Sequence, residues 1–193
     1  MQDLRRLIVT ILCILLAILQ DAGGEFIRVV TWNLEWFPGG KPNSSQAERL
    51  VHMSAAKDAL IDLRPDILCL QEVREWNSVK ELVSILPDFQ PLVVSRFRQM
   101  GTAGPLSVQQ LAIASNRPAE AAWAEPFKPS PATPPRGFSF AAIRHGGTVL
   151  LIYSVHFKSN LGDGTLNVAK REEAARQLLA HIVEMEDAYS GGC

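Results

Sequence analysis

The sequence has few cysteines, almost no net charge and no internal repeat. Its 193 residues include three cysteines, Cys13, Cys69 and Cys193, which are too few and too scattered for a disulfide framework. No CxxC pair and no cluster of cysteine with histidine occurs, which argues against a structural zinc site. The formal net charge is -1, so the composition does not indicate a broad basic surface of the kind that binds nucleic acid. Any recognition of phosphate must therefore be local.

The first residues carry a pattern typical of secretory signal peptides. MQDLRR gives a short basic start, residues 7–19 are apolar throughout, and QDAGG supplies small residues. The apolar run is too short to span a bilayer comfortably. We therefore expect residues 1–23 to be a signal peptide and the protein to be exported, either to the periplasm or outside the cell. A retained membrane anchor is the alternative, and a buried first helix fits less well because the run has no polar face.

Apolar runs and helical periodicities alternate along the remaining chain. Strands are predicted at residues 26–32, 67–70, 90–97, 109–114, 139–144 and 148–156, and helices at residues 46–63, 78–86 and 168–185. Residues 33–45 and the proline-rich residues 127–137 are predicted to be connections without regular structure. This interleaving favours one layered α/β domain over residues 24–186, followed by a short tail at residues 187–193.

Polar side chains with related chemistry follow three of the predicted strands. Asn33 ends the first strand, Glu72 follows the buried run of residues 67–70, and His156 ends the strand VLLIYSVH. Ligands commonly bind beyond strand ends in layered α/β proteins. A carboxylate and an amide oxygen are ligands that suit Mg²⁺ or Mn²⁺, and an imidazole beside such an ion can hydrogen-bond a phosphate oxygen.

The loop after His156 adds groups that suit phosphate, since Lys158 offers a positive charge and Asn160 an amide donor. Each of these residues also has an ordinary structural interpretation. Glu72 can be the first solvated residue after a strand, and Asn33 can make a local turn hydrogen bond. A single histidine is often a half-buried core residue, and a single lysine is usually solvated. The residues alone leave these alternatives open.

Three segments, RVVTWNLEWFP, DILCLQEV and YSVHFKSN, occur in that order and precede the helix REEAARQL. Together they resemble the endonuclease/exonuclease/phosphatase superfamily over residues 26–186. The resemblance implies a four-layer α/β/β/α sandwich of the deoxyribonuclease type. It also implies that Glu72 is the main metal ligand, that Asn33 belongs to the same site, and that His156 acts at the scissile phosphate. Gln109 and Arg136 have no secure match in the family pattern and receive no role.

The sequence departs from the family in its last part. The family's second half normally supplies a GDFN-like motif and a final SDH-like motif, and neither occurs after His156. The segment GDGTLN at residues 162–167 is no substitute, because no strand precedes it. We therefore expect the sandwich to lack its C-terminal strands, and no general base can be identified.

Two functions follow from these observations. The first is a metal-dependent phosphoesterase that uses Mg²⁺ or Mn²⁺ and acts on a phosphate ester of a nucleic acid, a phospholipid or a small molecule. We expect such an enzyme to be a monomer without a stable protein partner. The second is a truncated, non-catalytic family member, either a binding fragment or an incomplete gene product. A membrane-anchored interaction domain is a third and weaker interpretation.

Overall fold

The structure, a computed structural model, describes residues 26–98 and 105–190. The predicted signal peptide lies outside the described residues, so it stays a prediction. None of the helices in the described part of the chain combines the length and the apolar character needed to cross a membrane.

The described residues form two β-sheets and three helices. The first sheet has the order β1–β2–β4–β3, and β1 is parallel to β2 while the other pairs are antiparallel. The second sheet is antiparallel, with the order β5–β6–β7. The elements are β1 (Val29–Phe37), α1 (Gln46–Leu63), β2 (Ile67–Val73), α2 (Trp76–Val83), β3 (Gln90–Val94), β4 (Gln110–Ser115), β5 (Ala119–Pro126), β6 (Gly137–His145), β7 (Thr148–Val155) and α3 (Gly164–Ser190).

Three apolar clusters hold these elements in four layers. One cluster lies between the first sheet and helices α1 and α2, and includes Leu60, Leu70 and Leu82. The second lies between the two sheets and includes Ile113 and Ile143. The third joins the second sheet to α3 and consists mainly of aromatic residues and alanine. The α/β/β/α sandwich implied by the family resemblance is therefore confirmed.

Cys69 belongs to the cluster between the sheets, where it is 5% exposed. Burial raises the pKa of its thiol to about 11. Because the thiolate is the reactive form, this cysteine is a core residue without nucleophilic character near neutral pH.

Helix α1 begins and ends where its sequence indicates. The Ser45 side chain accepts a hydrogen bond from the Glu48 N–H, and the Glu48 carboxylate accepts one from the Ser45 N–H, so two otherwise unpaired donors are satisfied. The helix stops at Arg64, which has a φ of 46° and closes the last turn through its N–H to Leu60 O. Ile67 then starts the buried strand β2.

Several predicted boundaries were wrong, and one strand was missed. β1 runs on to Phe37 instead of ending at Asn33, and β2 includes Glu72 instead of ending before it. Helix α3 begins at Gly164 and continues to Ser190, so residues predicted as loop and tail are helical. The missed strand is β5, which pairs along β6. Residues 127–136 have no regular structure, as predicted.

We expect Leu70→Ala to lower the free energy of unfolding by about 2–5 kcal/mol, because Leu70 is fully buried and its truncation leaves a cavity. The measurement is the midpoint of denaturant unfolding. Leu50→Ala is the matched control, since Leu50 is 60% exposed on α1 and its truncation should change stability by no more than about 0.5 kcal/mol. Equal effects of both substitutions would contradict the described core.

Candidate active site

Glu72 occupies an irregular position inside β2. The pairing of β2 with β1 and its pairing with β4 both shift register beside this residue. Its φ is 60°, in the left-handed region that residues other than glycine rarely adopt. A bulge of this kind redirects a side chain out of the regular alternation of a strand. The carboxylate of Glu72 therefore leaves the sheet at the edge where a cleft opens.

Three hydrogen bonds hold this carboxylate in place. Asn33 Nδ2 donates to Oε1 over 3.2 Å, the Trp36 N–H donates to Oε2 over 3.2 Å, and Gln109 Nε2 donates to Oε2 over 2.7 Å. Glu72 is only 9% exposed. Donors on both oxygens of a buried carboxylate fix its orientation. The site thus contains a rigid, partly desolvated negative charge.

His156 directly follows β7 and faces this carboxylate. Its Nδ1 lies 3.7 Å from Glu72 Oε1, is buried and has no hydrogen-bond partner among the described residues. Burial, reinforced by the positive charge of Arg136, lowers the pKa of His156, although Glu72 opposes that shift. The lowered pKa favours the neutral imidazole, whose buried Nδ1 lies beside the Glu72 carboxylate while the residue itself lines the cleft described below.

Gln109 and Arg136 complete a chain of contacts across the site. Arg136 Nη2 donates to Gln109 Oε1 over 2.7 Å, while the amide nitrogen of the same glutamine binds Glu72. Burial lowers the pKa of the Arg136 guanidinium and Glu72 raises it. The group nevertheless stays charged, because the ordinary pKa of arginine is far above neutrality. A cation, an amide and a carboxylate are thus linked in sequence.

Sequence reasoning left out both of these residues. Gln109 lies just before β4, and Arg136 lies at the end of the proline-rich connection. Arg136 has a φ of 65°, a backbone conformation uncommon for arginine in a simple loop. Neither residue belongs to a periodic pattern or a recognised motif, so only the folded contacts reveal them.

A cleft of about 520 Å³ opens in front of Glu72. Arg136, Lys158 and Arg98 bring positive charge to its wall, and His156 and Glu72 also line it. Cationic groups around a partly enclosed space favour an anionic ligand. The cleft therefore has the size and charge for a phosphate ester.

The two predicted phosphate ligands lie in different surroundings. Lys158 lines the cleft, and its ammonium donates to the carbonyl oxygen of Leu161 over 2.9 Å. Asn160 does not line this cleft, because its side-chain oxygen accepts from Arg171 Nη1 on α3 over 2.8 Å. The structure thus brings Asn33, Glu72 and His156 together with Lys158 nearby, and places Asn160 outside.

The residues present fit a hard divalent cation to a limited extent. The part of the chain that the structure describes has no group of three or more His, Cys, Asp or Glu side chains that could hold a metal ion. A carboxylate offers about four acceptor positions, and the Glu72 carboxylate uses three of them. Mg²⁺ is often held by one or two carboxylates, waters and substrate phosphate. Glu72 is compatible with such a sparse site, whereas Asn33 turns its Nδ2 toward Glu72 and its Oδ1 accepts from the Glu35 N–H over 3.0 Å.

A short arm borders the cleft. It consists of residues 95–98 and 105–110, and Gln110 fastens it from within. The Gln110 side chain accepts from the Phe97 N–H over 2.8 Å and from Ser95 Oγ over 2.7 Å. It also donates to Phe97 O and Ser107 O. Gln110 is 2% exposed, so these contacts take the place of the hydrogen bonds that its side chain would otherwise make to water.

The sequence matches the model of the Endonuclease/Exonuclease/phosphatase family over residues 30–189. Comparison with the sequences of curated proteins gives no match.

Several solved structures share the fold. The human nocturnin catalytic domain with bound sulfate aligns with a TM-score of 0.60 and 19% identity, over 82% of this chain and 60% of that one. Mannosyl-6-phosphatase of Bacteroides thetaiotaomicron gives 0.59 and 17%, over 83% and 60%. TDP2 of Caenorhabditis elegans gives 0.55 and 17%, over 84% and 43%. The chain thus spans at most 60% of the length of these three structures.

We expect Gln110→Leu to loosen the arm, because the buried Phe97 N–H and the groups around it lose their partner. A buried polar group without a partner costs about 1–3 kcal/mol. Amide hydrogen exchange at Phe97 should become faster, and the denaturation midpoint should fall. Gln109→Leu is the control for exchange at Phe97, since the Gln109 side chain contacts Glu72 and Arg136 and not Phe97. Unchanged exchange at Phe97 in Gln110→Leu would disprove this role of Gln110.

Proposed function

The chain belongs to the Endonuclease/Exonuclease/phosphatase family, and on that premise we propose that it is a metal-dependent phosphoesterase that hydrolyses phosphodiester or phosphomonoester bonds. The observation that supports this most is the contact between Glu72 and His156 in a cationic cleft. The buried Nδ1 of His156 has no hydrogen-bond partner among the described residues and lies 3.7 Å from the carboxylate. His156 also lines the cleft, so its ring lies beside the space that a phosphate ester would occupy.

Two cations of the cleft bind the phosphate in this proposal. The Arg136 guanidinium is held by Gln109, so part of its orientation is set before a ligand arrives. Its remaining donors suit two phosphate oxygens in a planar arrangement. Lys158 adds a second positive charge at the wall of the cleft. Both residues place the phosphorus atom close to His156.

The cation, for which we propose Mg²⁺ or Mn²⁺, would be held by Glu72, and the amide oxygen of Asn33 would need to leave the Glu35 N–H to join it. Its chemistry is the stabilisation of negative charge on the phosphate. Members of the family generally use divalent metal ions, which supports this choice. Three donors fix the orientation of the Glu72 carboxylate, so it does not need to reorganise when a ligand binds.

His156 acts as a neutral hydrogen-bonding group toward the phosphate. Burial and Arg136 both lower its pKa, so it carries no charge that would compete with a cation held by Glu72. A fixed hydrogen bond to an oxygen that gains charge in the transition state typically contributes about 100- to 1,000-fold in rate. Asn160 was also predicted to bind phosphate, and it would need to leave Arg171 to do so.

A second function, binding without catalysis, is favoured by one specific observation. Among the described residues, Glu72 is the only carboxylate that lines the cleft. The described part of the cleft thus offers no second acid to activate water, and loss of a general base commonly costs about 100- to 10,000-fold in rate. A chain of this kind would still bind a phosphate ester through Arg136 and Lys158.

Turnover of bis(4-nitrophenyl) phosphate in the presence of Mg²⁺ tests the catalytic proposal. We expect Glu72→Gln and His156→Ala each to lower kcat/KM by about 100- to 1,000-fold, because each removes a group that stabilises charge on the phosphate. Lys80→Ala is the control, since Lys80 is exposed on α2 away from the cleft. Activity that survives Glu72→Gln would remove Glu72 from the metal site. Binding of phosphate without turnover would favour the second function.

We also propose that the protein is exported after removal of residues 1–23 and that it is a monomer without a stable protein partner, which binds a phosphate ester as its substrate. The basic start, the apolar run and the small residues that follow support this proposal. Mass spectrometry of the protein isolated from the periplasm or the medium should give a chain that begins at residue 24. A full-length mass in the membrane fraction would show an anchor instead.

A further inference from the structure

A second groove lies on the other side of the arm. It has a volume of about 440 Å³ and is formed by the start of α2 and by arm residues that include Arg96 and Gln110. Gln109 and Gln110 are adjacent, yet the first contacts the cleft and the second contacts the arm and lines this groove. Successive side chains of an extended chain point to opposite faces. The arm therefore separates two neighbouring binding spaces.

Trp76 provides a planar apolar wall in this groove. It is the first residue of α2, and 46% of its surface is exposed. The packing of α2 against the first sheet uses Val79, Leu82 and Val83, which are almost fully buried. Trp76 takes no part in that cluster of buried residues. A large exposed aromatic ring beside a groove is a feature of ligand-binding surfaces.

Two arginines flank the tryptophan. Arg74 is fixed by its backbone, because its N–H donates to Phe37 O over 2.8 Å, while its side-chain Nε is buried without a hydrogen-bond partner among the described residues. Arg96 is exposed on the arm and also lines the groove. The Glu75 carboxylate lies in the same groove and offsets one of the two positive charges. The local balance still favours one anionic group.

The groove lies close to the cleft along the chain. Four residues of chain lead from Glu72 to Trp76, so their Cα atoms are at most about 14 Å apart. A substrate that extends beyond one phosphate can therefore reach both spaces. A small phosphate ester cannot, because it ends inside the cleft.

We propose that this groove binds a nucleotide of a single-stranded nucleic acid whose neighbouring phosphate occupies the cleft. The base stacks on the Trp76 indole, and the Arg74 and Arg96 guanidiniums contact the backbone phosphate. An aromatic ring with adjacent arginines is the usual composition of sites for unpaired nucleotides. The orientation across the two spaces depends on the phosphoesterase function proposed above, but the binding of the nucleotide by the groove can be tested separately.

The test uses the full chain and a short fluorescein-labelled oligothymidylate, with a chelator present so that no hydrolysis changes the probe. We expect Trp76→Ala to weaken binding by about 5- to 150-fold, the range for loss of one stacked base. Trp76→Phe keeps an aromatic face and should retain most of the affinity. Thermal unfolding of each variant shows whether α2 remains folded. Lys80→Ala removes a positive charge from the same helix outside the groove and should bind as the original chain does.

The salt dependence of binding is a second readout. It tests the phosphate contacts of the arginines separately from the stacking on Trp76. With one or two phosphate contacts, the slope of log affinity against log salt should be about -0.7 to -1.4. Arg96→Ala should reduce its size by about 0.7, whereas Trp76→Ala should leave the slope unchanged. An unchanged slope in Arg96→Ala would overturn the role assigned to this arginine.

Other results overturn the proposal or separate it from the phosphoesterase function. Equal oligothymidylate binding by Trp76→Ala and the original chain, with normal unfolding, would overturn it. A loss in Trp76→Ala of binding to vesicles of phosphatidylcholine and sphingomyelin, but not to oligothymidylate, would do the same and indicate a lipid. Oligothymidylate binding that depends on Trp76, without turnover of the small diester, would support nucleotide binding by the groove and contradict the phosphoesterase function. Turnover of the small diester without binding that depends on Trp76 would support the phosphoesterase function and overturn nucleotide binding by the groove.

Discussion

The ionised Glu72 side chain is buried at the edge of the first sheet, and it is stable there only because other segments supply donors. Asn33 and Trp36 come from β1 and Gln109 from the chain before β4. Removing a charge from water costs several kcal/mol unless hydrogen bonds compensate. The three donors therefore link three segments around one carboxylate. Displacing any of these segments would leave the charge uncompensated, so the integrity of the sheet edge and the geometry of the site depend on the same contacts.

The main layers follow from the sequence because their signals are local. The apolar run of β2 and the helical periodicity of residues 46–63 correctly indicated a buried strand and helix α1. β5 gave no such signal, since AEAAWAEP is rich in alanine and glutamate, which are depleted in strands. Its side chains fit because small residues on β6, including Ala141 and Ala142, face it. Contacts between strands outweigh local preference there, and they cannot be read from one segment.

Part of the candidate site was predictable from the position of its residues next to apolar runs, although β1 and β2 continue past Asn33 and Glu72. Asn33, Glu72 and His156 follow apolar runs in the sequence, and the fold brings them together. Gln109 and Arg136 are 27 positions apart, and they meet only because a connection without regular structure returns to the sheet edge. The left-handed backbone at Glu72 was also hidden, because glutamate normally avoids it. What the sequence does not display is the conformation of irregular segments, and half of the site is built from those.

The alternation of small and large residues along β4 determines which face of the sheet Gln109 and Gln110 occupy. Ala112 and Ala114 face the helices, and Ile113 faces the other sheet. A slip of one position would turn Gln109 and Gln110 each to the opposite face. Each face would still receive an amide, so the polarity of the two side chains alone would not oppose the slip. The same slip would push an isoleucine into space shaped for alanine and leave a void between the sheets. The volumes of the side chains on β4 therefore select the register that places each of the two glutamines on its own face.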